Sequence, residues 1–400
     1  MTYLPEQKYL DTYADILINF GLNGGKGIKK GEVVFLEVPE CAKPLLFSLL
    51  KSVLTAGAHP IIQYLPDGLD PHFLSYATEE QLSFFPAKFL KGKIKEADHF
   101  VKIIADTDLH QLEGIDPQKI MQKNIAMKPF LDWRNRKEIN GKLSWTLGLY
   151  PTQAMAKEAG MTLKSAWEQI IRACYLDHQH PLDRWRQIES DSQTILKKLN
   201  HLPINSLRIQ AKNTDLIIGL DKHRKWLSGG GCNIPSFEVF ISPDCHRTSG
   251  HISFSLPLYR YGNQITDIYL EFKDGHVVSS SATKGESVLK KMIATKNADM
   301  VGEFSLTDIR FSKINRFMAE TLYDENFGGK YGNTHLALGM SFHESYTGNP
   351  KKVTGDQWKI MGFNDSVIHT DIISISDRVV TATLDNGQQI IIYKKGRFTL

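Results

Sequence analysis

The chain has 400 residues, 42% of them hydrophobic and 23% charged, which exceeds one typical domain and supplies apolar material for two sizeable cores. Its 48 basic and 44 acidic side chains leave a formal net charge of +4, a balance that argues against a nucleic-acid partner. No stretch reaches the roughly 18 uninterrupted apolar residues of a membrane span, so no membrane partner is expected.

The first residues, MTYLPEQKYLDTYADILINFG, are amphipathic, carry Glu6, Asp11 and Asp15, and lack the basic start and cleavage site of a signal peptide. Cys41, Cys174, Cys232 and Cys245 form no CxxC pair and no framework spacing, which fits a reducing compartment, and a cytoplasmic location is expected. Val33 to Val38 is a short β-branched run with the look of a buried strand; Lys43 to Thr55 has helical spacing. Pro60 to Leu65 is again strand-like, Glu79 to Phe89 helical, and further apolar runs lie at Phe100 to Ala105 and Leu143 to Leu149. Strands separated by helical segments imply βαβ units and a largely parallel sheet. Residues 151–200 read as mostly helical, with Trp167, Ile170, Ile171 and Cys174 on one face. From Leu207 onward alternating strand-like runs dominate, punctuated by turns such as Asp274-Gly275, with helices expected at Ser287 to Asn297 and Asp308 to Thr321. The expected fold is an α/β N-terminal domain, residues 1–200, followed by a β-rich α+β domain, residues 201–400, with the boundary near 190–206.

Several features resemble sites without having the right context. Gly21, Gly24, Gly25 and Gly27 precede the first strand, whereas a dinucleotide loop follows one, so they read as a turn. Gly229-Gly230-Gly231 precedes no clear helix. Neither Cys174, His178 and His180 nor Cys232, Cys245, His246 and His251 match a zinc-finger spacing, and His343-Glu344 lacks the second histidine of HExxH.

The C-terminal half carries a sparse series of carboxylates and imidazoles: Glu238, Glu303, Glu325, His335, His369 and Asp371. Such oxygen and nitrogen donors suit zinc, cobalt or manganese. His369 and Asp371 fall on one face of a strand, which allows both to reach one cation and equally allows an ordinary ion pair. Taken singly, His335 reads as a core histidine, Glu238 as a solvent-facing strand residue, and Glu303 and Glu325 as surface carboxylates. Their order and spacing together carry the signal.

CNIPSFEVFISPD, Cys232 to Asp244, resembles the NIP-x-x-EVF-x-x-PD segment of the metallo-aminopeptidase family typified by aminopeptidase T and aminopeptidase S. DMVGEF (from Asp299), TLYDEN (from Thr321), HLALG (from His335) and HTD (from His369) follow in the family's order; GIKKGEVVFLEVP and TLGLYPTQAMAKEAGM resemble its upstream segments. The resemblance implies two divalent metal ions, a homodimer, peptide substrates and release of N-terminal residues. It implies that Glu238, Glu303, His335, His369 and Asp371 are metal ligands, and that Glu325 is a ligand or the general base; Glu303 is a second candidate for the base. Three departures stand out. NFGGKYGNT, between Glu325 and His335, is longer than in many relatives; IISIS follows HTD where relatives often have a Met-Ile-Gly run; and Phe342 occupies a position where the family often has tyrosine. Tyr346 is the phenol available in its place, as a catalytic contact. A non-catalytic metal- or peptide-binding homologue and a metal-dependent amidase of another substrate are the alternative functions.

Overall fold

The computed structural model describes residues 3–400. The chain divides into two compact units, one running to Gln187 and taking in Gly230–Ser236, the other comprising Ile188–Gly229 and Phe237–Leu400. The division falls inside the Pro181–His201 helix.

In the first unit five strands form a wholly parallel sheet, ordered His59–Leu65, Val33–Pro39, His99–Ile104, Ser144–Leu149, Asn233–Ile234. Parallel neighbours need long crossovers, and the intervening helical segments provide them for the first four strands. Helix Gln7–Asn19 forms because Leu10, Tyr13, Ala14 and Leu17 recur at i, i+3, i+4 and i+7, and all four are buried. The Tyr13 hydroxyl accepts from the Leu149 amide (2.8 Å) and donates to the Ile234 carbonyl (3.3 Å), which ties the helix to two strands. The helical run expected from Glu79 to Phe89 is split. Glu79–Ser83 is closed by a capping box from Thr78, and Ala87–Glu96 starts only after Pro86, because proline lacks the N–H that a continuous helix would need. Gly231, at φ +89°, packs against Gly21 so closely that a Cβ would meet the Gly21 carbonyl oxygen at 2.8 Å. These glycines serve backbone contact.

The second unit contains an eight-stranded antiparallel sheet centred on Thr214–Gly219, Ile204–Ala211 and Arg378–Leu384. A five-stranded antiparallel sheet is ordered His369–Ser374, Asn333–Gly339, Val301–Thr307, Glu238–Ile241, Leu227–Ser228. A two-stranded ribbon pairs Leu258–Arg260 with Asn263–Ile265. Of the two expected helices, the first forms as Glu286–Ile293. The second does not: residues 308–320 are irregular, and only Thr321–Asp324 is helical. Side-chain acceptors take the amides that a helix would have used. Asp308 accepts from the Arg310 amide (2.9 Å), and Asp324 accepts from the amides of Met318 (2.8 Å) and Glu320 (3.1 Å). Among the described residues, no helix is long and apolar enough to cross a membrane.

Candidate metal centre

Strand register brings the expected ligands to one face of the five-stranded sheet. Glu303 pairs with Ala337 and Ala337 with Asp371; Ser305 pairs with His335; Thr307 pairs with Glu238; Gly339 pairs with His369. Side chains alternate along each strand, so Glu303, His335, His369, Asp371 and Glu238 project to the same side. The small residues Ala337, Ser305 and Gly339 between them leave room for the polar groups. Phe304, Leu306, Leu336, Leu338, Ile372 and Val239 project to the other side and are buried. Each contributes roughly 1.5–3 kcal/mol of burial that holds the register in place. Gly339 is confined to glycine by its φ of +106° and by the Ile368 carbonyl oxygen, which a Cβ would meet at 1.9 Å. Glu325 arrives from elsewhere, as the C-cap of Thr321–Asp324.

The two oxygens of Glu303 serve different histidines. Oε1 lies 3.1 Å from His335 Nε2 and Oε2 lies 3.4 Å from His369 Nε2. His335 Nε2 also faces Glu238 Oε2 at 3.5 Å and Asp371 Oδ1 at 3.9 Å, and His369 Nε2 faces Asp371 Oδ1 at 3.4 Å. The donors fall into three overlapping groups, Glu238 with Glu303 and His335, Glu303 with His369 and Asp371, and Glu325 with His335 and Asp371, each spanning no more than 4.8 Å. His369 Nδ1 donates to the Met340 carbonyl (2.8 Å), which fixes the ring and aims Nε2 at the carboxylates.

Four carboxylates and two imidazoles crowded together out of water are costly unless cations join them. Burial opposes charge on His335, yet Glu303, Asp371 and Glu238 raise its pKa to about 9. Burial likewise opposes charge on His369, and Asp371 and Glu303 push its pKa well up. Burial would raise the Glu303 carboxyl, but the two histidines hold it below its usual range; for Asp371 His369, His335 and Arg260 outweigh burial and bring it to about 2. Glu325 is pushed well up by burial and by repulsion from Glu238, Asp371, Glu303 and Glu320. Ser305, fully buried beside His335 on the same face, has an Oγ without a partner among the described residues, as expected of a polar atom facing a ligand or solvent position. This donor set fits divalent ions of the zinc, cobalt or manganese type.

Sequence reasoning passed over Asn326. It is fully buried; its Oδ1 accepts from the Phe237 amide (2.6 Å), next to Glu238, and its Nδ2 donates to the Leu322 carbonyl (3.0 Å) and lies 3.5 Å from Glu325 Oε1. Ser312 donates to its carbonyl, and Thr307 donates to the Glu325 carbonyl at 3.3 Å. Asn326 thus braces the two acidic arms, and only its position directly after Glu325 in TLYDEN hinted at this. Asn326→Ala is expected to cost about 2–3 kcal/mol of stability, since it strands a buried amide and a buried carbonyl. Metal affinity should fall about tenfold or more. Denaturant unfolding and metal titration measure the two effects; an unchanged metal affinity would remove the bracing role.

Glu238, which by alternation alone reads as a solvent-facing residue, is buried, as are Glu303, Glu325 and His335. Phe342 packs against His369, ring centroids 4.9 Å apart, and against Phe240 at 5.6 Å. Tyr346 sits in an aromatic cluster with His223, Trp358 and Phe363. His343 stacks on Trp358 at 4.0 Å. His178 accepts from the His180 amide, and neither belongs to a ligand-spaced group among the described residues. Asp244, Cys245 and His246 do lie close together in a turn, but burial pushes the Cys245 thiol up to about 12 and Asp244 accepts from the His246 amide, so no thiolate is available there at neutral pH.

The thermophilic metalloprotease (M29) family model matches residues 6–398. The chain belongs to this family. It is 27% identical to aminopeptidase PepS of Streptococcus thermophilus, with 98% of each chain covered. It is also 27% identical to aminopeptidase T of Thermus thermophilus, covering 98% of this chain and 99% of that one. The solved structure of wild-type AmpT from Thermus thermophilus superposes with a TM-score of 0.83 at 24% identity, over 99% of this chain and all of that one, so the two share a fold. The M29 resemblance of the motifs around Glu238 to Asp371 therefore extends over nearly the whole chain.

Proposed function

We propose that this M29 protein is an aminopeptidase that hydrolyses the first peptide bond of a substrate with a free N-terminus. The reading is carried by Glu303, whose two oxygens reach two different histidines and so link two overlapping ligand groups, a donor set that would hold divalent ions. Divalent ions bound there supply Lewis acidity, which acidifies water and polarises a carbonyl. The chain's own residues do the rest. Glu238, Glu303, Glu325, His335, His369 and Asp371 form the holding set. His369 is aimed by the Met340 carbonyl. Glu303 and Glu325 are the two carboxylates able to take a proton and return it to the leaving amine. Tyr346 is the phenol proposed to contact the reacting carbonyl, since Phe342 has no hydroxyl.

Zinc, cobalt or manganese as the ion, two ions per chain, and a homodimer are parts of the same proposal and rest on the M29 resemblance. A cytoplasmic location is proposed from four cysteines that are all free. The test is hydrolysis of a peptide panel by metal-stripped protein before and after each metal is restored. Release of single N-terminal residues, dependent on metal and abolished by blocking the amine, is the expected result. Glu303→Gln, Glu325→Gln and Tyr346→Phe, compared at equal metal content, separate the proton carrier from the oxyanion contact by their losses in kcat. Tight metal uptake with no turnover of any peptide would make the protein a binding homologue.

A further inference from the structure

Arg260 has a buried guanidinium nitrogen, Nε, with no hydrogen-bond partner among the described residues. It ends the Leu258–Arg260 strand of the two-stranded ribbon. The residue is half-buried, and its Nε is sealed from solvent. The head lies over the ring of its neighbour Tyr261, 5.0 Å from the centroid. Two other interior arginines are anchored through part of the fork, Arg224 to the Ser242 carbonyl (2.8 Å) and Arg378 to the Ser374 carbonyl (2.7 Å), although each keeps a buried Nη1 without a partner among the described residues; Arg260 makes no such bond among them. An arginine fork left open in a partly dry site is costly unless an anion completes it.

The ribbon places this fork beside the metal centre. Just upstream, the amides of Ser255 and Leu256 both donate to the Ile373 carbonyl (3.2 Å each), on the strand that carries His369 and Asp371. Tyr259 stacks on Phe317 (ring centroids 6.3 Å), in the loop that leads into Glu325. The segment that enters the ribbon therefore bonds to the ligand-bearing strand, and the ribbon itself meets the segment that delivers Glu325. The positive field of Arg260 reaches Asp371, but among the described residues no hydrogen bond or ion pair joins the two side chains, and Asp371 belongs to the donor set.

We infer that Arg260 is a carboxylate-binding subsite of the metal centre, which gives the protein a preference for peptides that present a free carboxylate near the scissile bond. This deepens the aminopeptidase reading and rests on it. A planar guanidinium matches a carboxylate with two parallel hydrogen bonds, and an amide in the same place offers half of them. The carboxylate comes from one of two sources, the C-terminus of a di- or tripeptide or an acidic side chain at the second residue.

The experiment compares four probes on the metal-loaded protein. They are an uncharged tripeptide with a free C-terminus, the same tripeptide as its amide, the amide with Glu at the second residue, and the amide with Gln there. Turnover and, separately, calorimetric binding of each probe are measured for the wild type, Arg260→Gln and Arg260→Lys. The wild type should favour the acid over the amide, or the Glu peptide over the Gln peptide, by about ten- to hundredfold, mainly in KM. Whichever pair shows the preference identifies the source. Arg260→Gln should bring that ratio close to one, and Arg260→Lys should keep part of it, with metal content and thermal midpoint checked for both. Equal treatment of acid and amide and of Glu and Gln by the wild type overturns the inference without needing a variant. So does a ratio that survives Arg260→Gln. Binding that discriminates through Arg260 in a protein with no turnover would uphold the subsite and reject the peptidase reading.

Discussion

Glu303→Ala is expected to lower peptide hydrolysis by on the order of 10³-fold or more, with loss of bound metal. Glu303 is the one carboxylate in hydrogen-bonding range of both His335 (3.1 Å) and His369 (3.4 Å), and it belongs to two of the three donor groups. Removing it separates those groups. It also leaves two buried imidazoles short of the anion that balances them, a change that costs about 3–5 kcal/mol in comparable buried pairs. Glu303→Gln keeps the volume but supplies only one acceptor where two are used, so it too should lose metal, though less. Elemental analysis of dialysed protein gives the metal content and initial rates on a free-amine peptide give the activity. Full metal content with a near-native rate in Glu303→Ala would falsify the assignment of this residue as the shared carboxylate.

Metal uptake should strengthen steeply with pH. In the metal-free protein the Glu303, Asp371 and Glu238 carboxylates hold the His335 pKa at about 9 against the opposing effect of burial, and His369 is displaced in the same direction. At pH 7 His335 carries an extra proton and His369 is shifted toward the same form, whereas a histidine ligates only as the neutral imidazole. Each ring that binds an ion must therefore release a proton. The sign follows: affinity rises with pH, by about tenfold per unit for each proton displaced, and His335 stops contributing once the pH passes about 9. Glu325, pushed up by burial and by its carboxylate neighbours, adds to the effect in the same direction, whereas Asp371 at about 2 stays ionised and adds nothing. Calorimetric titration in two buffers of different ionisation enthalpy counts the protons. A titration at pH 7 that releases none, or an affinity flat between pH 6 and 8, would contradict this picture.

Much of the fold was legible because its signals are local. Alternation along HTD puts His369 and Asp371 on one face whatever else the chain does, and the strand–helix alternation before residue 150 leads to a parallel sheet. The failures were equally specific. Asp308 to Thr321 has helical spacing, but Asp308 and Asp324 take up backbone amides in a loop instead. Glu238 lies between two apolar residues and reads as solvent-facing, because a single strand cannot reveal that its polar face meets three other polar faces. Asn326 and Arg260 carry no motif beyond their neighbours; the bracing role of the one rests on a 2.6 Å bond to the Phe237 amide, and the subsite proposed for the other on a buried nitrogen without a partner among the described residues.

The sequence by itself determined which donors exist, in what order, and which of them share a face within their own strand, since these follow from residue chemistry and the two-residue period. Tertiary structure alone decided that Glu238, Glu303, His335 and Asp371 meet. They come from four strands separated by long stretches of chain, and their meeting depends on the register that pairs Glu303 with Ala337 and Ala337 with Asp371. That register is held by the apolar residues on the opposite face of the same sheet. A slip by one residue would turn the ligands into the core and the core into the site.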